Sequence, residues 1–304
     1  MRENDFIEWV RSRGRLDPDV VEVGPGDDCA VVNVGGERAC VSVDQLIDGV
    51  HFDLARHGAD AFGRKAMARA LSDVAAMASS PLAAVAAVAM PRGFAREDAE
   101  ATYRGLRAVG EALGCPLVGG DVATGDGPLA CSVTVLARPD GVEPVLRSGA
   151  RVGDAICVTG AFGGAWLTGR DLHFAPRVAE ARAIARRCDL HAMIDVSDGL
   201  ALDLWRVCRA SGAAAEIDGA AVPVAPDATA GRDIDPLTAA LGDGEDYELI
   251  FTLTADAAEA MLTEPPTDVP ITRVGRVVAG EGLTLIGADG SRRPLEPTGW
   301  EHGT

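Results

Sequence analysis

The chain has 304 residues, 47% of them hydrophobic and 4% aromatic, with a formal net charge of -18. That length holds two ordinary domains or one large one, with a core built mainly from Ala, Val and Leu. So acidic a chain excludes a basic nucleic-acid footprint and attraction to an anionic membrane surface. Lys65 is the only lysine, and the acid-rich, Arg-for-Lys bias points to a halophilic or high-GC source. The seven cysteines form no CxxC pair and several fall in apolar runs such as PLACSVTVLA, which predicts buried reduced thiols. With no signal-peptide pattern and no uncharged apolar span of membrane length, the expected location is cytoplasmic.

Asp5 to Arg13 is predicted to form a short amphipathic helix. VVEVGPGDD reads as a strand opening into a glycine turn, and CAVVNV and ERACVSVD as two strands joined at Gly35-Gly36. Ala61 to Ala78 carries Ala, Met and Leu at helical spacing, with Lys65 and Arg69 on the other face. LAAVAAVAMP reads as a buried strand. Ala95 to Leu113 follows as a helix with Glu97 and Asp98 in its first turn, where the macrodipole favours acids. Short strands are expected at Cys115 to Val118 and Leu129 to Ala137. The order β-β-α-β-α-β-β contains the split β-α-β pattern of ferredoxin-like α+β domains.

RPDGVEPVLRSGARVGD, charged and aperiodic, reads as a junction. A second unit starts at DAICVTG, with a helix near Pro176 to Arg187, a strand ending in AMIDVSDG and a helix from Leu200 to Ala210. Its further strands are Ala214 to Ile217, Tyr247 to Leu253 and Ile271 to Val277. The expected architecture is an α+β (α/β) two-domain subunit divided into residues 1–146 and 147–304.

Glycine-flanked acids recur along this framework: Asp27 and Asp28 in GPGDD, Asp44 in VSVDQLIDGVHF, Asp73 in ALSDVAAMA, Asp121 in LVGGD, Asp195 and Asp198 in MIDVSDG. Most end or interrupt apolar runs. Carboxylates gathered that way raise one another's pKa unless cations fill the space between them. Hard oxygen ligands suit Mg²⁺, which bridges to substrate phosphates. In GPGDD one acid is expected to bind metal and the other to order the loop, against the plain reading of a hairpin turn. Ser42 and Asp44 share a strand face. Asp73, in the most apolar helix, needs a cation or a cleft, because an unpaired charge there is costly. LVGGD reads as a short buried strand whose glycines let a ligand approach the backbone. Ser197 to Gly199 open a helix, where backbone N–H groups bind phosphate or a side chain caps. The chain has no P-loop and no kinase-type H-R-D or D-F-G set. Cationic help for a phosphate therefore falls to Mg²⁺ and Arg, with Arg147 in the junction well placed.

Read in order, GDDCAVV, SVDQLIDGVHF, KAMARALSDVAAM, VGGD, RSGARVGD, IDVSDGL and GDGEDYELIF resemble the thiamine-monophosphate kinase family. Its superfamily includes aminoimidazole ribonucleotide synthetase, selenophosphate synthetase and the hydrogenase maturation factor HypE. The resemblance implies a subunit that dimerises through the mixed sheets of its N-terminal domains, with ATP and several Mg²⁺ ions between domains. It implies transfer of the γ-phosphoryl of ATP to the phosphate of thiamine monophosphate. By motif position, Asp28, Ser42, Val43, Asp44, Asp73, Asp121, Asp195 and Asp198 fall on metal positions. Gly120, Asp121, Arg147 and Ser197 fall on ATP positions, and His51, Glu245 and Trp300 on substrate positions. Trp300 is suited to stack on a thiamine ring, and no residue is expected to act as a strong general base.

This chain departs from the family pattern at Val43, in the segment 122–128 and at Gly164. The alternatives are another enzyme of the superfamily or a non-catalytic, HypE-like nucleotide- or metal-binding module. Cys29 directly after GDD speaks against selenophosphate synthetase, and the WEHGT ending lacks the C-terminal cysteine of HypE.

Overall fold

The structure, a computed structural model, describes residues 3–13 and 16–301. After helix α1 (Glu3–Arg13), strands β1 (Val21–Val23), β2 (Ala30–Val34) and β3 (Glu37–Ile47) form an antiparallel run. Helix α2 (Leu54–Ala76), strand β4 (Ser80–Pro91), helix α3 (Arg96–Ala112) and strands β5 (Leu117–Gly125) and β6 (Ala130–Arg138) follow. The sheet order is β1-β2-β3-β6-β4-β5. β6 lies antiparallel between β3 and β4, so β3-α2-β4 is the split β-α-β unit, while β4 and β5 are parallel neighbours.

α2 and α3 cover one face of this sheet. Met67, Leu71, Val74, Leu106 and Val109 of the helices pack with Val133 and Val135 of β6 in one core. Gly63 and Gly105 let the two helices touch backbone to backbone: a Cβ on Gly63 would meet Thr102 O at 2.0 Å, and one on Gly105 would meet Asp60 O at 2.1 Å. The opposite face is open, and Val43, Val85 and Leu136 are exposed on it. β5 differs from expectation. It is a nine-residue outermost strand with residues 118–124 exposed, rather than a short buried one. With β4 on one side only, just Leu117 of LVGGD packs on the core and the rest of the segment stays exposed.

The second sheet comprises β7 (Ala155–Thr159), β8 (Ala192–Asp195), β9 (Ala214–Asp218), β10 (Leu249–Leu253), β11 (Ile271–Val278), β12 (Leu283–Ile286) and β13 (Arg292–Leu295). Its order is β13-β12-β9-β11-β7-β10-β8, antiparallel except for β9 with β12. The helices are α4 (Ala165–Thr168), α5 (Val178–Arg187), α6 (Leu200–Ser211), α7 (Pro236–Gly242) and α8 (Ala255–Thr263). α6 packs with one core of this unit and α5 and α8 with the other. With both faces covered, β7, β8 and β10 are buried along their whole length, and so read as unbroken apolar runs. The C-terminal end of α2 contributes Ala75 to the core of the second unit, which joins the two halves. No helix among the described residues is long and apolar enough to cross a membrane.

Candidate active site

Three elements deliver one carboxylate each to a common point: Asp28 from the turn between β1 and β2, Asp73 from α2 and Asp195 from the end of β8. Ligand oxygens of the three lie within 4.8 Å of one another. Burial, then Asp195, Asp44 and Asp28, push the Asp73 carboxyl well above the usual range. Burial and the Asp28 charge push Asp195 up to about 8. Ser42 donates a hydrogen bond to Asp73 and Ser72 donates one to Asp195 at 2.5 Å. Arg147 donates to Asp28 Oδ1, while Asp28 Oδ2 is buried with no hydrogen-bond partner. Asp27 points elsewhere: it accepts the backbone N–H of Asp28 at 3.0 Å and of Arg147 at 3.2 Å, fixing the loop and the arginine together. Three mutually repelling oxygen donors with an orphaned lone pair fit a hard divalent cation.

Beside this cluster runs one stripe of α2. Lys65 and Arg69, expected on the face opposite the Ala, Met and Leu residues, lie on the same side as Asp73 and are covered by the C-terminal half. Lys65 is fully buried, and its ammonium reaches Asp171 Oδ2 at 2.6 Å, Glu245 Oε2 at 2.5 Å and the His51 carbonyl at 3.0 Å. Arg69 holds Asp44 through Nε at 2.7 Å and Nη2 at 3.2 Å, and Glu245 through Nη1 at 3.4 Å. Asp44 therefore faces the cluster already paired. Val43 points to the open face of the sheet, away from Ser42 and Asp44, which leaves its backbone carbonyl as the only group it can offer.

Ser197 and Asp198 border the same polar cavity. Of the two readings of the N–H groups before α6, capping by a side chain holds for two of them. Asp203, fully buried, accepts the N–H of Asp198 at 3.0 Å and of Gly199 at 3.1 Å. One helical turn on, its side chain reaches back and saturates those donors. Asp198 is in turn paired with Arg206.

A second cavity of about 310 Å³ adjoins the first, lined in part by His51, Glu245, Trp166 and Trp300. Trp300 is held by its backbone N–H to the Asp198 carbonyl at 2.8 Å. Trp166 stands with its ring centroid 4.7 Å from the Lys65 ammonium. The turn leading into α4, the helix that carries Trp166, is fastened by the acids of GDGEDYELIF: Asp246 accepts the Gly163 N–H and Asp243 the Gly164 N–H, both at 2.9 Å. Gly164 has φ +74, and a Cβ there would meet the Ala228 carbonyl at 2.7 Å. The departure from the family pattern at this position is thus a close-packing requirement of this chain.

Gly120 and Asp121 are not part of this assembly. Asp44 pairs with Val133, Val133 with Ala86 and Ala86 with Gly120. Asp44 and Gly120 are therefore three strand spacings apart, about 14 Å. Asp121 is opposite Ala87, and its side chain falls on the open face of the sheet rather than the helix side. The sequence reading missed Lys65, Trp166, Asp171 and Asp203. Only Lys65 carried a signal, as the single lysine of an arginine-rich chain.

The acidic pocket and the indole-lined cavity beside it belong to a chain of the aminoimidazole ribonucleotide (AIR) synthase related class. Residues 26–138 match the family model "AIR synthase related protein, N-terminal domain", and residues 170–288 match "AIR synthase related protein, C-terminal domain". The chain is 39% identical to the thiamine-monophosphate kinase of Rhodopirellula baltica, over 99% of this chain and 97% of that one. Among solved structures, AaThiL complexed with AMPPCP and TMP superposes with a TM-score of 0.84 at 27% identity, over 99% and 97% of the two chains. Escherichia coli HypE shares the fold at a TM-score of 0.71 and 21% identity, over 86% of each chain. The chain belongs to the thiamine-monophosphate kinase family of AIR synthase related proteins.

Proposed function

We propose that this protein phosphorylates thiamine monophosphate with ATP, giving thiamine diphosphate and ADP. The observation that carries the reading is the meeting of Asp28, Asp73 and Asp195 beside the cavity lined by Trp166, Trp300, His51 and Glu245. An oxygen of the acceptor phosphate forms the new bond to the γ-phosphorus, while the bond from that phosphorus to the bridging oxygen of ADP breaks and ADP leaves with its electron pair. The attacking oxygen is already anionic, so no strong base is needed, and the obstacle is repulsion between two polyanions. In this reading Asp28, Asp73 and Asp195 hold Mg²⁺, with Ser42, Asp44, Asp198 and the Val43 carbonyl as the remaining donors. Bound there, Mg²⁺ would supply charge neutralisation between the two phosphate-bearing substrates. Arg147 and Ser197 are assigned to ATP, and the indoles to the rings of thiamine, with His51 and Glu245 at their polar edge.

Gly120 and Asp121 enter the site only if a second copy of this chain brings them. The open face of the first sheet, apolar at Val43, Val85 and Leu136 and carrying Asp121 at its edge, suits a two-fold homodimer. The division at residues 146 and 147, with ATP and metal bound mainly by the first part, and a cytoplasmic location belong to the same proposal. The test is the purified chain with Mg²⁺, ATP and thiamine monophosphate: Mg²⁺-dependent formation of thiamine diphosphate is expected, and no turnover at either low or high salt overturns the reading.

A further inference from the structure

We propose that the Tyr247 hydroxyl donates a hydrogen bond to a phosphate oxygen of the bound substrates, an uncharged donor built into the carboxylate-rich cavity. The inference rests on the phosphoryl-transfer reading above and adds a residue to it.

Tyr247 is 2% exposed, yet it lines the polar cavity together with Asp44, Arg69, Asp73, Asp195 and Asp198. Its Oη is buried and has no hydrogen-bond partner among the described residues. Buried hydroxyls are almost always satisfied, so an orphan needs a reason. The usual alternative, a side chain left loosely placed, is ruled out by how firmly this one is fixed. Its ring stacks on Phe174 with centroids 4.0 Å apart and planes 11° from parallel. Its backbone N–H donates to the Val196 carbonyl at 2.8 Å, and that of Glu245 donates to the Ser197 carbonyl at 2.8 Å. Both residues are held at positive φ, +50 for Tyr247 and +72 for Glu245. Left-handed backbone in two non-glycine residues so close together is strain that persists only where the surroundings impose it, and such strain gathers at functional sites.

The chemistry of the missing partner follows from the neighbours. The charged groups acting on Tyr247 are Arg69, Glu245, Asp44 and Asp195. Burial, opposed by Arg69 and reinforced by the carboxylates, holds the phenol protonated. The hydroxyl is therefore a donor, and the ligand must offer an acceptor. Of the proposed ligands, phosphate is the acceptor-rich one. An oxygen that gains charge as the phosphoryl group transfers gains most from a fixed donor in a site shielded from water. The proton stays on Tyr247, and no bond within the side chain is made or broken.

Tyr247→Phe removes one oxygen and keeps the stack on Phe174. Because the hydroxyl has no protein partner, the variant should melt at the wild-type temperature or above it. With Mg²⁺, ATP and thiamine monophosphate, kcat should fall about 100-fold, as when one transition-state donor is deleted, while KM for ATP changes little. An unchanged kcat overturns the inference. So does a fall in kcat accompanied by a clearly lower melting temperature, which would mean that the hydroxyl serves an internal hydrogen bond. Absence of turnover by the wild-type chain would instead sink the functional reading on which the inference stands, and the inference with it.

Discussion

Asp73 illustrates how one residue can be costly to stability and, in the proposed function, needed for activity. Its carboxyl, buried and surrounded by Asp195, Asp44 and Asp28, resists ionisation. Asp73→Asn should cut kcat by more than about 100-fold, since loss even of a group that only supports a metal ligand costs 10- to 100-fold. The same change should leave the metal-free protein at least as stable at neutral pH, because folding no longer has to hold that carboxyl protonated. Steady-state kinetics with a Mg²⁺ titration, alongside a melting curve, reads both halves. Unchanged activity would remove Asp73 from the metal set.

The same cluster fixes the sign of a pH effect. Asp195 titrates at about 8 in the fold, against an ordinary value of 3.8. Across that window the native state holds a proton that the unfolded chain has released, so stability falls as pH rises from about 4 to about 8. At the proposed metal site Mg²⁺ would take the place of those protons. Its stabilisation should therefore be larger at about pH 8.5 than at about pH 6, measured as the rise in melting temperature on adding Mg²⁺. An equal rise at both would argue against these carboxylates as ligands.

At the scale of elements, α2 joins the two units. Lys65, Arg69, Ser72 and Asp73 recur at helical spacing on one stripe, which from sequence alone looks like a washed face for the two cations. The second unit closes over it, so the stripe is polar and buried at once. Lys65 then sits between Asp171 and Glu245 with no exposure. Lys65→Met should destabilise the fold by about 3–5 kcal/mol, because it strands buried carboxylates. Adding Asp171→Leu to that variant should recover much of the loss. Urea unfolding of the single and double variants measures it, and a double variant no more stable than Lys65→Met would show that the pair is not coupled.

At the scale of the whole molecule, the distance between Asp44 and Asp121 makes a prediction about symmetry. If each site borrows Asp121 from the other copy, Asp73→Asn and Asp121→Asn homodimers should both be impaired. In a mixed dimer one site carries both defects and the other is intact. After equal mixing with subunit exchange, about half the dimers are mixed, so roughly a quarter of wild-type activity should return. No recovery, with exchange verified by differently tagged subunits, would place Asp121 outside the partner's site.

The acids at the ends of apolar runs were legible because burial without a partner is costly, and a short strand that stops at Asp195 or a helix that carries Asp73 advertises that cost in sequence. The split β-α-β order and the unbroken runs of β7, β8 and β10 were legible for the same reason: period and burial are local. Strand β5 was not, because being outermost depends on sheet order rather than on its own residues. Nor could sequence say that Asp203, rather than a ligand, fills the N–H groups of Asp198 and Gly199, or that Lys65 is buried. The sequence by itself determined which residues are acids in apolar surroundings, and hence where a cation is to be sought. Only the tertiary structure decided which three converge, which arginine or lysine each neighbour meets, and that Asp121 lies on the other side of a sheet, because convergence is set by packing between units whose residues are far apart along the chain.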